Sequence, residues 1–217
     1  MTSDVPQLTT HQLRQLAPAF HHAASAASQA LAQWLNAPTT MTIDSVDQCR
    51  LEDATGVLGD GDALLCMCLM EMQGTLTGHM LLAFDDASGH ALADLLLSRS
   101  SSISGTWGDV EISCVLETMN IAGSAYLNGI ADDLSGRSGN QVALLPTPPR
   151  FLRDFAESLL EASFMDQAVA GTDVVFAKAR FDMAGQPLRW TFLLIPDPTS
   201  LKRLSELLAG LSPEPMP

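Results

Sequence analysis

Three polar side chains fall on one face of a predicted helix in the stretch SCVLETMN. Ser113, Glu117 and Asn120 are spaced i, i+4 and i+7, and at roughly 100° per residue they lie within about 60° of one another. They present a hydroxyl, a carboxylate and a carboxamide, all of which form hydrogen bonds. No basic residue occurs between Asp109 and Asp133, so no i,i+4 salt bridge accounts for Glu117.

This polar face is either structural or functional. In the structural interpretation, the three residues are ordinary solvated positions of an amphipathic helix. Asn120 argues against it, because an asparagine side chain competes with the helix backbone for hydrogen bonds and is a poor mid-helix residue. Covalent catalysis is not indicated, because the chain shows no Cys-Arg or Asp nucleophile signature.

The composition predicts a folded, acidic protein. The chain has 217 residues, of which 47% are hydrophobic, so a wholly disordered chain is excluded. A net charge of −14, from 25 acidic and 11 basic residues, argues against a nucleic-acid partner, which requires clustered Lys and Arg. The longest apolar run, ALLCMCLM at 63–70, is far shorter than the roughly 20 residues of a membrane span. The beginning of the chain shows no signal-peptide pattern, so we expect a cytoplasmic protein.

The sequence predicts no metal site. Cys66 and Cys68 are two residues apart in an apolar run, which places both on one face of a strand as small buried hydrophobes. No further Cys or His occurs nearby at a spacing that would complete a ligand set. His21 and His22 are adjacent, hence on different helix faces, which is poor ligand geometry.

Helix and strand patterns alternate along the first half. The Ala-rich segment 8–36 predicts one long helix, kinked or restarted at Pro18. The alternating TTMTIDSV at 39–46 predicts a strand. Two apolar runs flanking Gly74 predict a hairpin, and ASGHALADLLLS at 87–98 predicts a short helix.

The second half shows the same order of patterns. A long helix is predicted from about 108 to 134, ended by SGRSGN, and QVALLP at 141–146 predicts a strand. The stretch FLRDFAESLLEASF at 151–164 favours a helix, with a strand bend after the prolines left open. Two apolar runs around Gly185 and the pattern TSLKRLSELLAG at 199–210 then predict a hairpin and a helix.

Matching by offset indicates an internal repeat. Gly185 follows Gly74 by 111 positions, in the two predicted hairpins. The long helices match at an offset of 99, which lays AGSAYLNGIA from Ala122 over AASAASQALA from Ala23. The alternative is a coincidence between two apolar hairpins.

The repeat predicts an α/β (α+β) fold. Residues 10–100 and 107–210 would be related by a pseudo-twofold axis, each half contributing helix, strand, hairpin and helix. Pairing the halves would give a six-stranded, largely antiparallel sheet covered by two long helices. We therefore expect a single domain over residues 1–217.

The stretch SCVLETMNIAGSAYLNGIADDL resembles the signature of the CheC/CheX/FliY chemotaxis phosphatases. In that family an Asp or Ser is followed after three residues by Glu, after two more by Asn, and further along by Pro. Ser113, Glu117 and Asn120 fit the first three positions without a gap. Pro149 in PTPP is the best match for the proline, with a longer loop around SGRSGNQ between helix and strand.

The family's two-site members carry the Glu and Asn in both halves. At the helix offset of 99, Glu117 lies over Pro18 and Asn120 over His21. The chain is therefore similar to a one-site member.

The resemblance implies a phosphatase that hydrolyses the aspartyl phosphate of a CheY-like receiver domain in chemotaxis or two-component signalling. Asn120 would position the attacking water and Glu117 would pair with a lysine of the receiver. Ser113 and Pro149 would have supporting roles. The receiver would supply a Mg2+ ion, and the chain itself would bind no cofactor.

A second function class is a docking module without catalysis, like the middle domain of the flagellar switch proteins, because one fold serves both roles. The retained Glu117 and Asn120 favour catalysis. A CheD-like protein and a second copy of the chain are further partners that the resemblance leaves open.

Overall fold

The computed structural model describes residues 7–50, 53–58, 64–99, 106–159, 173–183 and 186–211. The elements are α1 (Thr10–Leu35), β1 (Thr39–Arg50), α2 (Ala54–Leu58), β2 (Leu64–Gly74), β3 (Gly78–Asp85), α3 (Asp86–Leu96), α4 (Asp109–Ser138), β4 (Leu144–Pro146), β5 (Arg150–Phe155), β6 (Asp173–Met183), β7 (Gln186–Pro196) and α5 (Pro198–Ala209). Each half thus begins with a long helix and ends with a hairpin followed by a shorter helix.

The described strands form one antiparallel sheet in the order β1-β6-β7-β3-β2-β4, and β5 also pairs with β2. Strands β3 and β7 pair at its centre, flanked by their hairpin partners β2 and β6. Each of these partners pairs on its outer side with strands of the opposite half: β6 with β1, and β2 with β4 and β5. The connectivity is pseudo-twofold symmetric about the β3–β7 pair, as the repeat predicts.

The sheet has seven described strands rather than the six expected. The additional one is β5, where the sequence favoured a helix. It pairs with Leu64–Leu69 of β2, whereas the short strand β4 pairs only with Met72–Gly74. Backbone groups of β2 therefore gain hydrogen-bond partners that β4 does not reach. Because that stabilisation comes from a distant strand, the local spacing of apolar residues did not reveal it.

Pro18 does not divide the first long helix, and the second long helix runs beyond its predicted end. Helix α1 passes through Pro18 without interruption and begins with a capping box between Thr9 and Gln12. Helix α4 includes the predicted breaker SGRS and ends before Gly139. The predicted end of the helix near Leu134 is therefore wrong, because residues 135–138 form its last turn.

The two long helices lie side by side on one face of the sheet and run antiparallel. Near the middle, a Cβ added to Gly129 would lie 2.6 Å from the Cα of Ala23. Towards one end, Arg137 of α4 donates a hydrogen bond to the carbonyl oxygen of Gln15, near the start of α1, at 2.8 Å. The missing side chain of Gly129 therefore permits the close approach of the helices.

Each face of the sheet carries a hydrophobic core. The helix-side core contains Phe20, Cys66, Cys68, Tyr126 and Phe192, and the ring of Tyr126 stacks on that of Phe192 at 4.8 Å. The opposite core includes residues of β2, β3, β6 and β7. Both cores contain residues from both halves of the chain. A single domain over residues 1–217 stays a prediction.

Cys66 and Cys68 are free thiols and lie where the sequence placed them, buried on the helix-side face of β2. Burial raises the pKa of both thiols far above the usual cysteine range.

Within the described ranges, no helix combines the length and hydropathy needed to cross a bilayer.

Candidate protein-interaction site on helix α4

Helix α4 separates a buried side from an exposed strip. Val115, Met119, Ala122 and Tyr126 are buried against the core, whereas Ser113, Glu117 and Asn120 are all exposed. The apolar positions recur at helical spacing, so packing against the sheet sets the rotation of α4 about its axis. The same rotation turns the three polar side chains to solvent. We call the exposed residues Ser113, Glu117 and Asn120 the polar strip.

The polar strip forms no hydrogen bond or ion pair with another described residue. The nearby carboxylate of Glu111, in the first turn of α4, instead accepts a hydrogen bond from Arg99 at 2.5 Å. This bond lowers the pKa of Glu111. Among the described residues, Glu117 is therefore an exposed carboxylate without an ion-pair partner.

Pro149 lies on a different element, in the link between β4 and β5. Ser135, near the end of α4, exchanges hydrogen bonds with the backbone of Val142 just before β4. The ring of Trp107, just before α4, lies 4.9 Å from that of Phe151 in β5. The chain from β4 to β5 thus runs from the end of α4 towards its start, and Pro149 is half-buried on this path.

The cysteine next to the polar strip is not poised as a nucleophile. Cys114 is half-buried, and desolvation, followed by the nearby charge of Glu111, raises the pKa of its thiol. A raised pKa disfavours the reactive thiolate at neutral pH. The site thus offers hydrogen bonding and charge, and no activated thiol.

The equivalent strip of α1 carries different side chains. Helix α4 begins 99 residues after α1, at Asp109 and Thr10, which preserves the offset found in the sequence. Arg14 and His21 are exposed and Pro18 is half-buried.

No three His, Cys, Asp or Glu side chains are grouped so as to hold a metal ion anywhere in the described ranges.

Sequence reasoning missed a polar cluster next to the start of α4. The carboxylate of Asp86, in the first turn of α3, accepts hydrogen bonds from Trp107, Arg153 and Cys66. These residues are far apart in the chain, and no local spacing links them. The only sequence signal is the Asp85-Asp86 pair at the beginning of a predicted helix.

Comparison with solved structures identifies the fold. Thermotoga maritima FliY superposes with a TM-score of 0.73 at 17% identity, covering 94% of this chain and 98% of the FliY chain. The chain has the CheC/CheX/FliY-like fold. The FliM middle domain of H. pylori superposes with a TM-score of 0.64 at 13% identity, covering 92% and 99% of the two chains. A chain of the H. pylori FliG–FliM complex superposes with a TM-score of 0.61 at 13% identity, covering 90% of this chain and 100% of that one.

No protein-family model and no curated protein matches the chain. The CheC-like fold is therefore recognised through its shape, with two long helices on a largely antiparallel sheet. FliY and FliM differ in name and share this fold, so the fold alone does not assign one activity.

Proposed function

We propose that this protein is a phosphatase that hydrolyses the aspartyl phosphate of a CheY-like receiver domain. The observation that carries the proposal is the exposure of Glu117 and Asn120 side by side on α4, without partners among the described residues. A carboxamide and a carboxylate presented in this way are available to a second protein. Their spacing is also that of the phosphatase signature described above.

The reaction transfers the phosphoryl group from the receiver's aspartate to water. The oxygen of water forms a bond to phosphorus as the bond to the carboxylate oxygen breaks, releasing inorganic phosphate and the free aspartate. Asn120 would hold the water in line with the leaving oxygen, because a neutral carboxamide both accepts and donates hydrogen bonds. The receiver, as substrate, would bring its own Mg2+ and lysine.

Glu117 would set the register of docking. It lies three residues before Asn120, so it projects from the same side of α4 about one turn away. A carboxylate on that side can form a charge-assisted hydrogen bond with a lysine of the receiver. Ser113, one turn further towards the start of α4, would contact the same partner, and Pro149 would border the site.

The experiment is phosphate release from CheY-like receivers, phosphorylated in the presence of Mg2+, with and without the protein. Single-turnover conditions isolate the chemical step, and Asn120→Ala is the decisive variant. Asn128→Ala is the matched control, because Asn128 is an exposed asparagine two turns further along the same helix. Acceleration by wild type and Asn128→Ala, but not by Asn120→Ala, supports the proposal. No acceleration of any receiver by wild type contradicts it.

The similarity to FliM supports a second candidate, a docking module without catalysis. FliM from H. pylori has been crystallised in complex with FliG. In that role the polar strip would bind a partner, and Asn120→Ala would alter affinity alone. Binding of a phosphorylated receiver without faster phosphate release would favour this candidate. A CheD-like protein and a second copy of the chain remain predicted partners.

A further inference from the structure

The indole of Trp107, just before α4, shares one carboxylate with two strands of the sheet. Asp86 Oδ1 accepts from Trp107 Nε1 at 2.9 Å, from Arg153 Nε at 2.9 Å and from Cys66 Sγ at 3.2 Å. Its Oδ2 accepts from Arg153 Nη2 at 2.6 Å. Asp86 thereby connects α3, β2, β5 and the residue that precedes the N-cap of α4. We call these four residues the Asp86 cluster.

The tryptophan of the cluster is held by packing as well as by its hydrogen bond. Its ring stacks on that of His90 at 4.5 Å and lies 4.9 Å from the ring of Phe151. A Cβ added to Gly89 would lie 2.5 Å from Trp107 Cη2 and 2.6 Å from Phe84 Cε2. The indole thus lies against the backbone of α3 at a position where only glycine leaves room for it.

Helix α4 lacks the side-chain cap that begins α1. Gly108 at the N-cap provides no side-chain hydrogen bond, unlike Thr9, which caps α1. The first turns of α4 are instead tied to α3 by Trp107 and to the segment after α3 by the Arg99–Glu111 ion pair. Further along, Val115 and Met119 are buried against the core. Ser113, at the start of the polar strip, lies between the tied first turn and these buried residues.

We propose that Asp86 and Trp107 are positioning residues that hold the first turns of α4 in the pose in which the polar strip acts on its partner. The proposal rests on the proposed phosphatase function. Ser113 is four residues after Asp109, the first residue of α4, about 6 Å along the helix axis at 1.5 Å per residue. A movement of the indole therefore shifts or frays the part of α4 that carries the strip.

The charge of the cluster persists at neutral pH. Hydrogen bonds from Arg153 first, and then from Trp107 and Cys66, hold the pKa of Asp86 well below its usual range. The position of Asp86 in the first turn of α3 also favours its ionised form, because a helix begins with positive partial charge. Removal of the carboxylate leaves the indole N–H and the guanidinium without their common acceptor.

The test compares Asp86→Ala with Asp44→Ala. Asp44 accepts bonds from Arg180 at 2.7–2.9 Å, so the control removes an equivalent bidentate ion pair on the β1–β6 side of the sheet. Trp107→Phe retains an aromatic ring and removes the N–H donor together with part of the packing surface of the indole. Asp86→Asn keeps an acceptor for the indole and loses the charge. The four variants separate the Trp107 contact from ion pairing in general.

The first readout is amide hydrogen exchange, which requires no partner. We expect faster exchange in peptides covering residues 109–120 of Asp86→Ala and Trp107→Phe, and wild-type exchange there in Asp44→Ala. Peptides covering 126–138 should be unchanged in all variants. A uniform increase over the whole chain, or none at 109–120, would overturn the proposal. Trp107→Phe retains most of the packing and decides the matter if Asp86→Ala does not fold.

The second readout is receiver dephosphorylation. We expect kcat to fall on the order of 10-fold in Asp86→Ala, since small misplacements of reacting groups cost this much or more, while KM changes little. Asp86→Asn should recover part of the rate. Wild-type kcat in a folded Asp86→Ala variant would overturn the positioning role. If wild type dephosphorylates no receiver, the proposed function fails, whereas the exchange experiment still tests the attachment of α4.

Discussion

The outward strips of α1 and α4 occupy equivalent positions in the two halves of the fold and carry opposite chemistry. Helix α1 contains no Asp or Glu, although the chain has 25 of them, and exposes Arg14 and His21. Helix α4 exposes Glu117 and Asn120 and has no basic residue before Arg137. Both helices nevertheless bury apolar residues on the same face of one sheet.

This difference separates what the two halves must share from what they need not. Packing against the sheet requires apolar side chains at helical spacing in both helices, and both have them. The solvent-facing strips bear no such constraint. The two helices therefore share an apolar face and differ in their strips, which is what the proposed function requires if only the strip of α4 meets a partner.

The largest effect is expected from replacing Asn120 in the strip of α4. Replacing Asn120 with Ala should lower single-turnover dephosphorylation by about 10²-fold or more, the scale of losing one positioned polar group. Affinity for the phosphorylated receiver should change less, because little surface is lost. Circular dichroism should show an intact fold, since alanine is the better helix former. Turnover at the wild-type rate would assign the strip to docking.

The next effect concerns the packing that the halves do not share. The offset of 99 lays Gly129 of α4 over Ala30 of α1, and a Cβ added to Gly129 would lie 2.6 Å from the backbone of Ala23. Gly129→Ala should lower the free energy of unfolding by about 1–3 kcal/mol through overpacking, despite the better helix propensity of alanine. Urea denaturation measures this, with the exposed Gly136→Ala as control. Equal stability of the two variants would show that the helices can separate at little cost.

A smaller effect concerns the charge of the strip. Glu117→Ala should weaken receiver binding by about 1 kcal/mol, and by more at low salt than at high salt, because an exposed ion pair is screened. Titration calorimetry at two salt concentrations provides the measurement. Asp132→Ala is the matched control, as Asp132 is an exposed acid on the same helix. Equal losses in the two variants would attribute the effect to net charge alone.

The smallest effect is expected in the strip of α1. Changing Pro18 and His21 together to Ala should leave dephosphorylation nearly intact, because neither matches the polar groups of α4. Stability should rise, since alanine restores the backbone N–H that proline lacks within a helix. Phosphate release and thermal unfolding of the same variant test both expectations. A large loss of activity in a folded variant would move the site to the first half.

Much of the architecture could be predicted from the sequence because it depends on local patterns. The long helices, the hairpin around Gly74 and the internal repeat follow from the spacing of apolar residues, and the structure confirms them. The exposure of Ser113, Glu117 and Asn120 also follows from helical periodicity. Their roles in a reaction stay a prediction, because periodicity states which way a side chain faces and not what it meets.

Tertiary structure alone decided three other features. Residues 150–155 form β5 because β2 has backbone groups to pair, and residues 135–138 extend α4 although their glycine and serines indicated a break. In the Asp86 cluster, Asp86 is bonded to residues that lie 20 to 67 positions away from it in the chain. Each feature depends on partners distant in the chain, whose hydrogen bonds and packing outweigh the local preferences of the residues.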